Sequence, residues 1–179
     1  MTETLILLSH PDYGASRANR ALAAAAAGLP GVAVAHLEAL YPDGRIDVPA
    51  EVARLLAARR IVLQFPVQWY ATPPLLKAWQ DGVLTPMFYV APETEGAVIA
   101  GRPLLVAATA GNRRETYGPG GVNLYPLAEL LRPLQATASR CALAWQEPFL
   151  VHDARSAGDA ALAAAGRAYA ARLAALPAG

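Results

Sequence analysis

Five short apolar runs alternate with helix-like segments along this chain. The runs are ETLILLS (3–9), VAVAHLEAL (32–40), RIVLQF (60–65), PLLVAATA (103–110) and CALAWQ (141–146). The segments between and after them favour helices at 16–27, 49–59, 73–83, 125–139 and 157–176. This alternation is typical of a parallel sheet whose strands are joined by crossover helices.

The polarity of each run predicts its place in the sheet. Runs one, three and four are continuously apolar, as expected for central strands that are covered on both faces. Run two admits His36 and Glu38, so we expect it at an edge. Right-handed crossovers then favour the order 2-1-3-4-5, as in flavodoxin. The pattern predicts an α/β fold: one domain (1–179) with a three-layer, doubly wound, five-stranded parallel sheet.

Composition narrows the class of protein. The 15 basic and 14 acidic residues give a net charge of +1 and form no block, which argues against nucleic-acid binding. The single cysteine, Cys141, allows no internal disulfide, and three scattered histidines predict no metal site. We find no leader-like segment, and no apolar stretch approaches the roughly 20 residues of a membrane span. We therefore expect a cytoplasmic protein, able to dock at the inner face of the membrane on a membrane partner.

The loop after the first predicted strand has features of a phosphate site. It reads SHPDYGASRAN and brings Ser16, Arg17 and Asn19 to a helix start, where free N–H groups and the helix dipole favour an anion. His10 could donate to a phosphate oxygen. Alternatively, Ser16 only caps the helix and His10 satisfies a backbone carbonyl. Neither GxGxxG nor GxxxxGK[ST] occurs, which argues against a dinucleotide-binding Rossmann loop and a P-loop.

The loop after the third predicted strand suits a flat heteroaromatic ring. Pro66 is expected to bend the chain out of the sheet and to expose the N–H groups of Val67, Gln68, Trp69 and Tyr70 to the ring's polar edges. The last two side chains would supply an apolar wall. Alternatively, they are core aromatics that cover a helix end.

The loop after the fourth predicted strand is rich in glycine and carries a phenol. It reads TAGNRRETYGPGGVN, and its glycines allow the backbone to approach a ligand closely. Tyr117 could donate its hydroxyl to a reacting oxygen. The alternative is a flexible surface loop with Tyr117 as a cover over the core. Unusual residues at three strand ends on one rim together favour a binding site.

Four stretches carry a family resemblance: SHPDYGASRAN, FPVQWYATPPLLKAWQDGVL, TAGNRRETYGPGG and PLQATASRCALAWQEPFLVHDA. In this order they resemble the flavodoxin-like NAD(P)H:quinone oxidoreductases, the family of DT-diaphorase. LYPDGRIDV and PLQATASRCAL also resemble the small FMN subunits that are ancillary to glutathione-regulated potassium efflux systems.

The resemblance implies a flavin site, an activity and an assembly. The phosphate loop would comprise His10, Ser16, Arg17, Ala18 and Asn19. The loop along the isoalloxazine edge would comprise Pro66, Val67, Gln68, Trp69 and Tyr70. The turn beside the ring would comprise Thr109, Ala110, Gly111 and Asn112. Tyr117 would be the catalytic tyrosine that polarises a quinone or flavin carbonyl. The family is dimeric, so Phe88 and Tyr89, in the long connection 84–100, would reach the neighbouring flavin.

The chain departs from the family pattern at three positions. Ala110 and Asn112 replace a threonine and a glycine of the flavin turn, and the histidine that partners the tyrosine is replaced near Asn123, so no imidazole relay is expected. Asn123 would then face the substrate. FMN is expected rather than FAD, because the longer FAD members have a C-terminal extension and this chain ends at Gly179.

The expected activity is a ping-pong transfer of hydride from NAD(P)H through FMN to a quinone. Preference for NADH or NADPH stays open, because Arg17, Arg113 and Arg114 could each meet a 2′-phosphate or only water. One alternative is a redox-sensing regulatory subunit of a potassium efflux antiporter with incidental reductase activity. Another is a flavin-free hydrolase-like domain, although no G-x-S-x-G occurs.

Overall fold

The computed structural model describes residues 3–178 and contains one parallel sheet. Its strands are β1 (Thr4–Leu8), β2 (Val32–His36), β3 (Arg60–Pro66), β4 (Pro103–Thr109), β5 (Ala144–Trp145) and β6 (Phe149–Val151). The order is β2-β1-β3-β4-β5, and β6 also pairs with β4. The predicted fold class and strand order are therefore confirmed.

The fifth position of the sheet differs from the prediction because two short strands share it. β5 pairs with the start of β4 and β6 pairs with its end, so within residues 3–178 the sheet has six strands rather than five. Gln146 to Pro148 separate them, and a proline cannot donate to a strand ladder. The predicted fifth run starts too early, since Cys141 still caps the preceding helix.

The helices form a layer on each face of the sheet. They are α1 (Arg17–Ala27), α2 (Leu37–Leu40), α3 (Val48–Ala57), α4 (Pro74–Trp79), α5 (Thr85–Tyr89), α6 (Arg132–Arg140) and α7 (Asp159–Ala174). Side chains alternate across each strand, so Ile6 packs with α1 and α7 while Leu7 packs with α3 to α6. Gly166 lets α1 and α7 approach closely, because a Cβ there would lie 3.2 Å from the Ala21 carbonyl oxygen.

The burial of the strands follows their polarity. Every residue of β1 and of β4 is buried, whereas β2 is half-buried and exposes Val34, as predicted for an edge strand. The strands run parallel and in register, so the loops after β1, β3, β4 and β6 emerge along one rim.

Two connections differ from the sequence prediction. The connection 84–100 is mainly helical: a π-helical turn (Gln80–Leu84) leads into α5, and a second π-helical turn (Pro92–Gly96) and a 3-10 turn (Ala97–Ile99) follow. Helices this short are not revealed by periodicity. The predicted helix at 125–139 begins only at Arg132, after a 3-10 turn at Glu129–Leu131.

No helix between residues 3 and 178 has the length and apolar character needed to cross a membrane.

Candidate functional site

A cleft of about 770 Å³ opens at the carboxyl ends of β1, β3, β4 and β6, within the usual size range of ligand pockets. Its lining residues come from four loops. The loop after β1 contributes His10, Asp12, Ala15, Ser16, Arg17, Ala18 and Asn19, and the end of β3 contributes Pro66, Val67, Gln68, Trp69 and Tyr70. The end of β4 and the loop after it contribute Thr109, Gly111, Asn112, Tyr117 and Asn123, and the loop after β6 contributes Ala154 and Arg155. Every predicted site residue except Ala110, Phe88 and Tyr89 lines this cleft.

The N-terminus of α1 forms one end of the cleft. Ser16 caps the helix, with its Oγ accepting from the Asn19 N–H at 3.3 Å. Asn19 is buried and donates through Nδ2 to Thr109 Oγ1 at 2.9 Å, while its backbone carbonyl oxygen accepts from Gln64 Nε2 at 3.0 Å. These bonds tie the helix start to β3 and β4. The first turn of α1 contains no acidic residue, so its N–H groups favour an anion.

A carboxylate that the sequence analysis missed holds the end of β1. Glu38 accepts from Ser9 Oγ at 2.6 Å and from the His10 N–H at 2.9 Å. The only sequence signal was an acidic residue at the end of the edge-strand run. His10 Nδ1 accepts from the Asp12 N–H at 3.1 Å, so Nε2 carries the imidazole proton and can donate. Burial lowers the pKa of His10 and so favours this neutral form at pH 7.

Arg17 lines the cleft, but protein groups occupy its guanidinium. It donates to the Ala157 carbonyl oxygen at 2.9 Å and to Asp159 at 2.6 Å. Its side chain therefore joins the start of α1 to the start of α7. No local motif in the sequence indicates this contact.

The segment after β3 forms a tight turn rather than an open bend. Pro66 ends β3, and the Val67 N–H extends the β3–β4 pairing by donating to the Thr109 carbonyl at 2.8 Å. Gln68 and Ala71 exchange two hydrogen bonds of 3.0 Å across Trp69 and Tyr70. The expectation that the N–H groups of Val67 and Gln68 are exposed is therefore wrong. Within residues 3–178, the backbone N–H groups of Trp69 and Tyr70 donate no hydrogen bond.

The two aromatic residues of this turn have a strained backbone. Trp69 has a φ of 45° and Tyr70 a φ of 66°, as in a type I′ turn, where asparagine and glycine are preferred. Trp69 is 93% exposed, so it is not a core residue. Strain of this kind clusters at functional sites. Leu124 and Asp153, which adjoin cleft residues, also have positive φ.

The loop after β4 is organised around Asn123. Its Nδ2 donates to Thr116 Oγ1 at 2.8 Å, and its Oδ1 accepts from Tyr70 Oη at 3.3 Å and Asn112 Nδ2 at 3.4 Å. Gly121 is required for close approach, because a Cβ there would clash with the Thr116 carbonyl. The amide of Asn123 thus links the loop after β3 to the loop after β4.

An imidazole contacts Tyr117, although the sequence analysis expected none to act with it. The rings of Tyr117 and His152 pack edge to face with centroids 5.5 Å apart. No hydrogen bond joins them within residues 3–178. Burial raises the pKa of Tyr117, and the nearby Tyr70 adds to this; burial also lowers the pKa of His152, with a contribution from Arg114. Both rings are therefore favoured in their neutral forms at pH 7.

Three predicted residues lie outside the cleft. Ala110 is buried, and its N–H donates to the Val151 carbonyl at 2.8 Å, because the end of β4 continues to pair with β6. Phe88 packs against the core beside Gly96. Tyr89 is exposed and its ring lies 4.8 Å from the Arg140 guanidinium carbon. A role of either aromatic at a neighbouring subunit's site stays a prediction.

Acidic, histidine and cysteine side chains do not gather as they would around a metal. Within residues 3–178, no group of three or more of them is placed to hold an ion.

Comparison with known proteins agrees with this geometry. The profile of a family described as having a flavodoxin-like fold matches residues 2–173. The chain belongs to this family. It is 40% identical over 169 residues to the glutathione-regulated potassium-efflux system ancillary protein KefF of Klebsiella pneumoniae, covering 94% of this chain and 93% of that one.

Two solved structures are similar over almost the whole chain. General stress protein 14 of Treponema denticola, solved in complex with FMN, is 34% identical with a TM-score of 0.88, covering 98% of this chain and 99% of that one. An NADPH-quinone reductase from P. pentosaceus is 27% identical with a TM-score of 0.84, covering 95% and 96%.

Proposed function

We propose that this flavodoxin-like protein is an FMN-dependent NAD(P)H:quinone oxidoreductase. The observation that carries the proposal is the Trp69–Tyr70 turn, where an exposed indole and two unengaged N–H groups are held in strained backbone at the wall of the cleft. A flat apolar surface beside polar donors suits a flavin ring. The FMN complex of the Treponema protein and the name of the P. pentosaceus reductase support this choice.

The residues present fit FMN at both ends. The phosphate would meet the N–H groups at the start of α1, with the Ser16 cap and His10 Nε2 beside them. The ring would lie along Trp69 and Tyr70, whose N–H groups point to no partner within the described residues. The backbone of Gly111 also lines the cleft. FMN rather than FAD stays our proposal.

Bound FMN would supply the redox chemistry by taking a hydride from NAD(P)H and passing it to a quinone. The chain's own groups bind and orient the reactants. NAD(P)H and the quinone would use the same open cleft, so we propose a ping-pong sequence in which the oxidised nucleotide leaves before the quinone enters. Overall, NAD(P)H, a quinone and one proton give NAD(P)⁺ and a hydroquinone.

Tyr117 is the proposed catalytic residue. The phenol is protonated at neutral pH, burial raises its pKa further, and it can donate to a quinone oxygen on which negative charge develops. The Asn123 amide accepts hydrogen bonds from Tyr70 and Asn112, which line the same cleft.

A second candidate function is regulation of a potassium efflux system. The specific observation is the 40% identity to KefF over 94% of this chain. In that case the protein would be a homodimer docked at the inner face of the membrane, and its flavin would report the redox state to an antiporter. A regulator of this kind would bind the antiporter yet turn over quinone slowly.

Two half-reactions measured separately test the proposal. NADPH should bleach the flavin absorption of the anaerobic protein, and a quinone should restore it. Tyr117→Phe should slow the quinone step by about tenfold to a thousandfold, the scale for one lost donor, and leave the bleaching step nearly unchanged. Equal quinone rates in the two proteins would refute the role of Tyr117. Failure of both nucleotides to bleach a bound flavin would refute the reductase.

A further inference from the structure

Arg155 is an exposed residue with a positive charge that lines the cleft. It lies on the loop between β6 and α7, is exposed, and lines the cleft with Ala154. Its aliphatic stem covers Gly111: the Cγ and Cδ atoms lie 3.6 and 3.5 Å from the position that a Gly111 Cβ would occupy. Arg155 is therefore exposed and lies beside the loop that follows β4.

Backbone hydrogen bonds fix the loop that carries Arg155. The Asp153 N–H donates to the Asn112 carbonyl at 2.9 Å, and the Ala154 N–H donates to the Ala110 carbonyl at 3.0 Å. Asp153 itself has a φ of 56°, and its carbonyl accepts from the N–H groups of Ser156 and Ala157 at 3.1 and 2.9 Å. The position of Arg155 is therefore set by the end of β4 rather than by a freely moving loop.

The charge of Arg155 is available for an anion. Within residues 3–178, no ion pair or side-chain hydrogen bond engages its guanidinium, whereas Arg17, which also lines the cleft, is paired with Asp159. Asp12 is the one carboxylate among the described lining residues, and it belongs to the loop after β1. Arg113 and Arg114 do not line the cleft.

We infer that Arg155 selects NADPH over NADH by binding its 2′-phosphate. The inference rests on the proposed function. The start of α1 already offers donors for the phosphate of FMN, so the exposed guanidinium of Arg155, unpaired within the described residues, remains for a second phosphate, that of an incoming dinucleotide. The two dinucleotides differ only in that 2′-phosphate, and a guanidinium binds phosphate through two parallel hydrogen bonds.

The test compares the two nucleotides in variants of the FMN-loaded protein. The wild type should show a kcat/KM for NADPH well above that for NADH. Arg155→Gln should lower this ratio by about tenfold to a hundredfold, the usual scale for a lost charged hydrogen bond, through a change in NADPH alone. Arg155→Lys should retain part of the preference. Arg167→Gln removes the same charge from the exposed face of α7 and should leave the ratio unchanged.

Binding of nucleotide fragments gives a readout that is independent of turnover. In calorimetry, 2′,5′-ADP should bind the wild type more tightly than 5′-AMP, and Arg155→Gln should remove this difference. A wild-type ratio near one, an unchanged ratio in Arg155→Gln, or a loss caused instead by Arg114→Gln would overturn the inference while leaving the reductase intact. A protein without FMN, or one that oxidises neither nucleotide, would overturn the proposed function and this inference together.

Discussion

Replacing Trp69 by glycine should make the flavin-free protein more stable and its cofactor affinity weaker. The left-handed backbone at Trp69 costs a residue with a side chain about 1–2 kcal/mol. Glycine avoids this cost but has greater freedom in the unfolded chain, which offsets about 0.4–1 kcal/mol. The indole is 93% exposed, so little burial is lost. The free energy of unfolding should therefore rise by about 0.5–1 kcal/mol.

The effect on FMN should have the opposite sign. An aromatic side chain that stacks on a flat ring contributes about 1–3 kcal/mol to the binding free energy, so the dissociation constant of FMN should rise by about tenfold or more in Trp69→Gly. Guanidinium unfolding of the flavin-free protein gives the first quantity, and titration of FMN fluorescence gives the second.

Two control variants separate backbone from side chain. Trp69→Ala removes the indole but keeps a side chain at positive φ, so it should weaken FMN binding without the gain in stability. Ala142 is exposed, has a φ of 51° and does not line the cleft, so Ala142→Gly should add stability without changing FMN affinity. If the free energy of unfolding of flavin-free Trp69→Gly fell by about 1 kcal/mol or more, or if its FMN affinity were unchanged, the reasoning would be refuted.

Three further predictions concern buried or partly buried groups. Glu38→Ala removes the acceptor that holds His10, so the dissociation constant of FMN should rise about tenfold, and Glu38→Gln should recover part of the loss; equal affinities would contradict this. Glu51 is fully buried and accepts from Trp79 Nε1 at 2.9 Å, so Glu51→Ala should lower the free energy of unfolding in urea by about 2–4 kcal/mol. Burial raises the pKa of Cys141 to about 11, so the native thiol should resist Ellman's reagent at pH 8 until the protein unfolds. Because the unfolded chain loses this proton near its ordinary value of 9.0, the stabilising contribution of Cys141 is complete below that pH and disappears as the pH rises towards 11.

The fold and the place of the site could be predicted because both depend on local patterns. Alternating apolar runs and helix signals determine a parallel sheet, and the carboxyl ends of such strands meet at one rim. The polar second run was sufficient to place β2 at the edge. The short helices of the connection 84–100 were missed because none is long enough to show a 3.6-residue period.

The contacts that hold the site could not be predicted because they join distant parts of the chain. Arg17 and Asp159 are 142 residues apart in sequence, and Ser9 and Glu38 are 29 apart. The engagement of the Val67 N–H likewise depends on pairing with β4, which no local motif specifies. Such details need the packed sheet.

The absorption spectrum and released-chromophore mass of the purified protein test the central claim most directly. The account predicts a yellow protein that carries one FMN per chain and, once stripped, takes FMN up again with release of heat. A colourless, folded protein that binds no FMN in calorimetry, and whose crystals show the cleft filled by its own side chains, would contradict it.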